Sequence, residues 1–251
     1  MLHETCLENK GMEITKREII ISIAIIAIML TLGVVIGNGI NRRHDDKVAE
    51  YNKALKTEDQ EIFEYGMRTH VGNAFVYGEL DTVDTVEYEE IDGQWMYLKK
   101  NTERYTRHTR TVTYTDSNGN TKTKKEVYWT WDVIATESKR ATLITFLNVE
   151  FPIEKIKVPS YWHIDTVSAG FHLRHVYYGT KPTHVGTVYT KLRDNTILDG
   201  SEFHKDYNIE ETVKNKNSNW GIVMFWLFWI VLIGGTVYGF CYLDNQWAES
   251  R

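Results

Sequence analysis

Residues 19–36 read IIISIAIIAIMLTLGVVI, and no charged side chain interrupts the chain from Ile19 to Asn41. At about 1.5 Å of rise per residue, roughly 20 apolar residues cross a hydrocarbon slab about 30 Å thick. Large aliphatics favour insertion by about 0.3–0.6 kcal/mol each, so a dozen of them supply on the order of 5 kcal/mol. The stretch predicts a transmembrane helix over 19–40. A cleaved secretory signal is the rival reading, with Val35-Ile36-Gly37 as the cut, but its apolar core would run to only about 7–15 residues.

A second uncharged stretch runs from Asn217 to Leu243, with Ile222 to Phe240 as its apolar centre. Trp220, Trp226 and Trp229 stand towards its start, and Tyr238, Tyr242 and Trp247 at or beyond its end. Indole and phenol rings collect at headgroup depth because each joins an apolar body to a polar handle. The expected fold is therefore a membrane protein, in which two transmembrane α-helices flank a single mainly-β (α+β) soluble domain with helical stalks. The expected boundaries are an N-terminal tail over 1–18, a first span over 19–40, a stalk over 41–66, a β-rich domain over 67–205, a stalk over 206–218, a second span over 219–243 and a C-terminal tail over 244–251.

Each span carries a Gly-x-x-x-Gly pair, Gly33 with Gly37 and Gly235 with Gly239, of the kind that lets helix backbones approach closely. In an antiparallel hairpin the two pairs fall in opposite leaflets. Gly235 and Gly239 are then expected to pack on Ser22, Ala24 and Ala27, leaving Gly33 and Gly37 for a second copy or for lipid.

Between the spans the chain turns polar. The whole sequence has 34 acidic and 29 basic residues, net −5, which gives no basic field for nucleic acid. Cys6 and Cys241 are the only cysteines and leave the central domain with none, which suits an extracytoplasmic position. The domain also lacks an Asn-x-Ser/Thr sequon, which fits a bacterial or viral source for an outward-facing domain. Lysines and arginines near the spans are too evenly shared to fix orientation. The domain is expected outside, with both termini in the cytoplasm.

Val48, Tyr51, Leu55 and Ile62 form a helix-like apolar stripe, with Thr57 and Gln60 as a capping box. From Val71 the period switches to two. Asp92-Gly93 is a turn signal. The clearest element is a long hairpin, Tyr105 to Thr115 and Thr121 to Val133 about Asn118-Gly119. A two-residue turn there sets Tyr114 opposite Thr123 and His108 opposite Trp129. Further strands are expected at Leu143 to Val149, Ile153 to Val158, Phe171 to Tyr178 and Val185 to Leu192.

The chemistry-bearing residues are sparse. The sequence has no Gly-x-Ser-x-Gly, His-Glu-x-x-His, Walker or Rossmann signature. Glu89-Glu90 and Glu210-Glu211 are adjacent in sequence, so they do not make a catalytic dyad. His172 and His175 point to opposite faces of a strand, and His163, Asp165 and His184 lack anything that makes them converge on a metal. No catalytic residue, cofactor or metal is expected. One cluster stands out as a candidate ligand patch: Tyr105, Arg107, His108, Arg110, Trp129 and Trp131, aromatics and arginines of the kind that dominate binding surfaces.

The layout of one span at each end, the Thr/Tyr/Trp-rich hairpin and the stretch Gly186 to Gly200 (GTVYTKLRDNTILDG) resembles uncharacterised two-pass membrane proteins of low-GC Gram-positive bacteria and their phages. That resemblance implies a membrane location and no activity. The functional expectation is a membrane-anchored, non-enzymatic interaction or scaffolding protein. Its expected partners are the lipid bilayer, a further copy through the spans, and an unknown protein or cell-envelope component. The alternatives are a subunit or regulator of a membrane complex with its domain in the cytoplasm, and an enzyme without a recognisable motif.

Overall fold

A computed structural model describes residues 16–117 and 119–249, so residues 1–15 of the expected N-terminal tail, with Cys6, lie outside the described residues, and residues 16–18 belong to the first long helix. The chain divides into two units, one of the two long helices and one of residues 53–213.

In the first unit, α1 spans Lys16–Lys53 and α4 spans Trp220–Glu249. Both are long and apolar enough to cross a membrane. Their most apolar windows have mean hydropathies of 3.1 and 2.0, and only 6% and 0% of those windows is buried. The core helix of a soluble protein would be mostly covered, so these two are not core helices. They pair antiparallel. Arg17 bonds Asp244 near one end, Ser22 Oγ lies 3.8 Å from Cys241 Sγ, and Lys216 Nζ stands 5.7 Å from the centre of the Tyr51 ring.

The glycine expectation is reversed here. Gly33 and Gly37 are the buried pair: Gly33 lies against the Trp229 indole, and Gly37 against Phe225, Trp226 and Ile222. Among the described residues, nothing stands within 4 Å of where a Cβ would lie at Gly234, Gly235 or Gly239. The physical reason is the bulk and polarity of Trp229. Its Nε1–H donates to the Met29 carbonyl at 2.9 Å, and a bare Cα one helical turn on, at Gly33, opens the way to that oxygen. An indole N–H without an acceptor would be costly in an apolar setting, so the ring and its acceptor set the rotation of α4. Ile222, Phe225, Trp226, Trp229 and Ile233 then face α1 and the glycines of α4 turn away.

The second unit begins where α1 stops. The stalk expected over 41–66 is corrected: the helix ends at Lys53, and β1 (Leu55–Thr57) and α2 (Gln60–Arg68) belong to the β unit. The capping box also moves, because Asp59 and not Thr57 caps α2, accepting from Ile62 N at 2.9 Å. Thr57 Oγ1 accepts from Asp59 N at 3.0 Å instead. The remaining strands are β2 (Gly72–Thr82), β3 (Val86–Tyr88), β4 (Ile91–Trp95), β5 (Tyr97–Thr115), β6 (Thr121–Arg140), β7 (Leu143–Phe146), β8 (Val149–Pro152), β9 (Trp162–Gly170), β10 (Leu173–Thr180), β11 (His184–Arg193), β12 (Thr196–Ile197) and β13 (Glu202–Lys205). The second expected stalk is α3, Ile209–Lys216, whose Ile209, Thr212 and Val213 are buried.

The main sheet runs β12-β11-β2-β7-β8, with β1 parallel to β2 and β13 antiparallel to β11. Alternate residues of β2, Ala74, Val76 and Leu80, join Val188 and Leu192 of β11 on the face that α2 covers with Phe63 and Met67. Period two in the strands meets the apolar stripe of a helix, and a core forms between them. On the opposite face, Phe75 packs on Tyr189 with the rings tilted by 33° and their centres 4.7 Å apart.

Several strand boundaries differ from expectation. Leu147 and Asn148 both take positive φ (48° and 59°) and make a tight turn, so 143–149 is not one strand but the start of the β7–β8 hairpin. Ile153–Lys155 is a 3-10 turn. The turn between β3 and β4 falls at Glu89-Glu90, and Asp92-Gly93 lies inside β4.

His184 is a buried base in this sheet, 4% exposed, with Nε2 2.9 Å from Thr180 Oγ1. Burial pushes its imidazole below the ordinary 6.5, and Lys205 adds to the shift. The unfolded chain therefore binds the extra proton more readily than the folded one. The contribution is fully present above about pH 6.5 and is lost as pH falls below it. Denaturation midpoints measured from pH 7.5 to 5 should drop on the acid side, and His184→Gln should flatten that part of the slope.

Candidate functional site

The second sheet runs β6-β5-β10-β9, all antiparallel. Its base is closed on one face by the β3–β4 hairpin, where Tyr88 and Ile91 pack with Leu98 and Tyr177. Lys100 is held there between the Tyr88 and Tyr177 rings, at 5.4 and 5.8 Å, and bonds Glu90 at 2.7 Å. The hairpin β5–β6 then runs on past its neighbours, since β10 pairs with β5 only as far as Arg104. From Tyr105 to Thr115 it is a two-stranded ribbon, about 35 Å long at roughly 3.3 Å per residue.

The register of this hairpin is one residue away from expectation. Tyr114 stands opposite Lys122, and His108 opposite Tyr128. The loop is longer than a two-residue turn because Asp116 organises it. Its carbonyl accepts from Gly119 N at 3.0 Å, its Oδ1 accepts from Asn120 N at 2.9 Å, and Gly119 takes φ +80°. That positive φ is the left-handed position of a bulged turn, which glycine adopts without strain. A one-residue shift changes which side chains share a face.

The candidate patch is split accordingly. Tyr105, Arg107, Trp129 and Trp131 lie on one face. His108 and Arg110 lie on the other, because residues of opposite parity in a strand point apart. The first face holds a row of rings. Tyr105 stacks on Trp129 at 5.3 Å, lies 5.2 Å from Trp131 and stacks on His172 at 5.8 Å. Arg174 caps the row, its guanidinium 4.2 Å from the Trp131 ring centre, and is fixed by Glu103 at 2.7 Å. Cation over ring and ring over ring are favourable at these separations. The row is nevertheless open to solvent: Trp129 is 46% exposed, Trp131 37%, and Phe171, beside His172, 89%.

The second face is a polar cluster. His108 Nε2 lies 2.6 Å from Asp132, Thr130 donates to the same carboxylate at 2.7 Å, and Tyr128 stacks on His108 at 5.3 Å. The Thr130 hydroxyl first, and then His108, hold the Asp132 carboxyl below its usual range. Arg110 reaches Glu126 at 3.1 Å.

Sequence reasoning missed His172, Arg174 and Phe171 as members of the first face. Phe171 and His172 make the β9–β10 turn and Arg174 lies at the start of β10, and only the pairing of β10 with β5 brings them to Tyr105, whose N–H bonds the His172 carbonyl at 2.9 Å. Among the candidate metal ligands, His163 bonds Thr166 at 2.9 Å and His184 is buried against Thr180. Among the described residues no three His, Cys, Asp or Glu side chains are placed to hold a metal ion. No family model, curated protein or solved structure matches this chain.

Proposed function

We propose that this is a membrane-anchored, non-enzymatic binding protein, its two apolar helices crossing a bacterial cell membrane as a hairpin and its β unit held at the extracytoplasmic face. The observation that carries the reading is the solvent-exposed row Trp131–Tyr105–Trp129–His172, flanked by Arg107 and Arg174. Ordinary β cores bury such rings, and monomeric surfaces rarely leave contiguous apolar patches of this kind without a partner. Flat rings with neighbouring guanidinium groups suit an extended cell-envelope polymer that offers apolar sugar faces and anionic substituents. The cysteine-free domain supports the outward orientation.

The test is binding of the full chain, in lipid nanodiscs, to purified cell-envelope polysaccharides. Trp129→Ala or Trp131→Ala should weaken binding tenfold or more, as loss of a central aromatic anchor does. His108→Ala and Arg110→Ala, on the opposite face, should leave it within twofold. Equal effects on both faces, or none, would refute the assignment. Protease shaving of intact cells should remove the β unit. A fully protected β unit would favour instead a cytoplasmic subunit or regulator of a membrane complex.

A further inference from the structure

Among the described residues, the strand β6 is an outer edge of its sheet along its whole length, pairing only with β5. No residue of it is buried. An edge this long is a template for another strand, and natural proteins guard such edges with lysines and bulges. Here the guards stand at the ends. Lys122, Lys124 and Lys125 occupy the distal part, and the register shift that passes over Ile134 marks a bulge at the proximal part. Between them lies 127–133, reading Val-Tyr-Trp-Thr-Trp-Asp-Val.

That segment is a near-palindrome about Thr130. On the ring-bearing face the order is Val127, Trp129, Trp131, Val133, the same read in either direction. Every one of these four side chains is exposed, the valines at 48% and 53%. Two antiparallel strands related by a two-fold axis normal to the sheet keep the same face up and pair residues whose numbers sum to a constant. With the axis at Thr130, Trp129 meets Trp131 of the second copy twice, and Val127 meets Val133 twice. Cross-strand aromatic and β-branched pairs are the favourable ones. Tyr128 falls opposite Asp132, so no like charges meet.

We propose that the partner of this edge is a second copy of the same chain, joined through antiparallel pairing of the two β6 strands centred on Thr130. The two four-stranded sheets become one eight-stranded sheet, and the two aromatic rows become one continuous surface across the axis. This deepens the binding role proposed above and rests on it in one respect, the membrane tether. The palindrome is short against the roughly 800 Å² per partner of a standard interface. Confinement of both copies to one bilayer raises their effective concentration and favours a small seam.

Single cysteines in the full chain, with Cys6→Ser and Cys241→Ser, test it in proteoliposomes under mild oxidation. Thr130→Cys should cross-link to itself, since residues directly opposite have Cα atoms about 4.5–5.5 Å apart, within disulfide reach. Thr123→Cys should stay monomeric, its partner thiol standing roughly 45 Å away at about 3.3 Å per residue. Val127→Cys and Val133→Cys should each fail alone and cross-link when the two variants are mixed before reconstitution. A monomeric Thr130→Cys chain overturns the proposal, as does cross-linking of Thr123→Cys to the same extent. Carbonate extraction of the same vesicles reads the tether separately. A chain released by carbonate refutes the membrane anchor and leaves the cross-linking pattern to decide the β6 seam.

Discussion

Phe63→Ala should destabilise the β unit by about 3–5 kcal/mol, the range for emptying a buried phenyl site. Phe63 is fully buried and meets Phe146 and Phe151 edge-to-face, at 6.0 and 6.2 Å between ring centres. It is also the main link between α2 and the sheet, for α2 is short and contributes only Phe63, Gly66 and Met67 to the interior. A helix of nine residues has little stability of its own. Removing the ring therefore empties a site and loosens the element that carried it. Urea unfolding of the full chain in detergent, followed by tryptophan fluorescence, should show the midpoint falling with little change of slope. Phe171→Ala, at a position 89% exposed, should leave the midpoint in place. Equal midpoints for Phe63→Ala and the parent would mean that α2 is not seated as described.

What the sequence made legible follows the range of the interactions involved. The two apolar helices were readable because composition alone decides them over twenty or so residues. The β5–β6 hairpin was readable because alternation and a glycine turn are local signals. Its register was not, because Asp116 recruits two backbone N–H groups into a longer loop, and that competition between turn types leaves no mark on alternation. The Leu147-Asn148 turn was equally hidden. A leucine at positive φ is unusual, and it is held there by packing against Gly78, where an added Cβ would strike the Leu147 side chain.

The same distinction explains the candidate site. Tyr105, Trp129 and Trp131 stand out in composition. Proximity in sequence groups His108 and Arg110 with them, because it cannot separate the faces of a strand until the parity is fixed. His172 and Arg174 are about seventy residues away from Tyr105 in sequence, and only the β10–β5 register joins them to the row. Arg174 pairs across that register with Glu103, so the guanidinium is positioned over Trp131 by an ion pair that no local pattern announces.

Gly33→Leu should weaken the pairing of α1 with α4 by about 2–5 kcal/mol, whereas Gly235→Leu should leave it unchanged. A Cβ at Gly33 would fall on the Trp229 indole nitrogen, so the ring must move. Overpacking a close contact costs about 1–3 kcal/mol, and the lost Trp229–Met29 hydrogen bond adds about 1–2 kcal/mol in an apolar medium. Gly235 meets nothing within 4 Å among the described residues, and leucine there extends away from α1. A reporter is already half built: Ser22→Cys places a thiol where Ser22 Oγ stands 3.8 Å from Cys241 Sγ. In a Cys6→Ser background, oxidation of this variant should close an intramolecular disulfide in nearly every chain. Adding Gly33→Leu should slow closure by tenfold or more, and adding Gly235→Leu should not. If both leucines slow it alike, the helices pair through both glycine motifs. If neither does, the close approach of Trp229 to Gly33 does not hold the hairpin. Because the leucine at Gly33 acts on one tryptophan and one carbonyl, Trp229→Phe, which keeps a ring and removes the donor, should recover part of the loss from Gly33→Leu while costing about 1 kcal/mol alone.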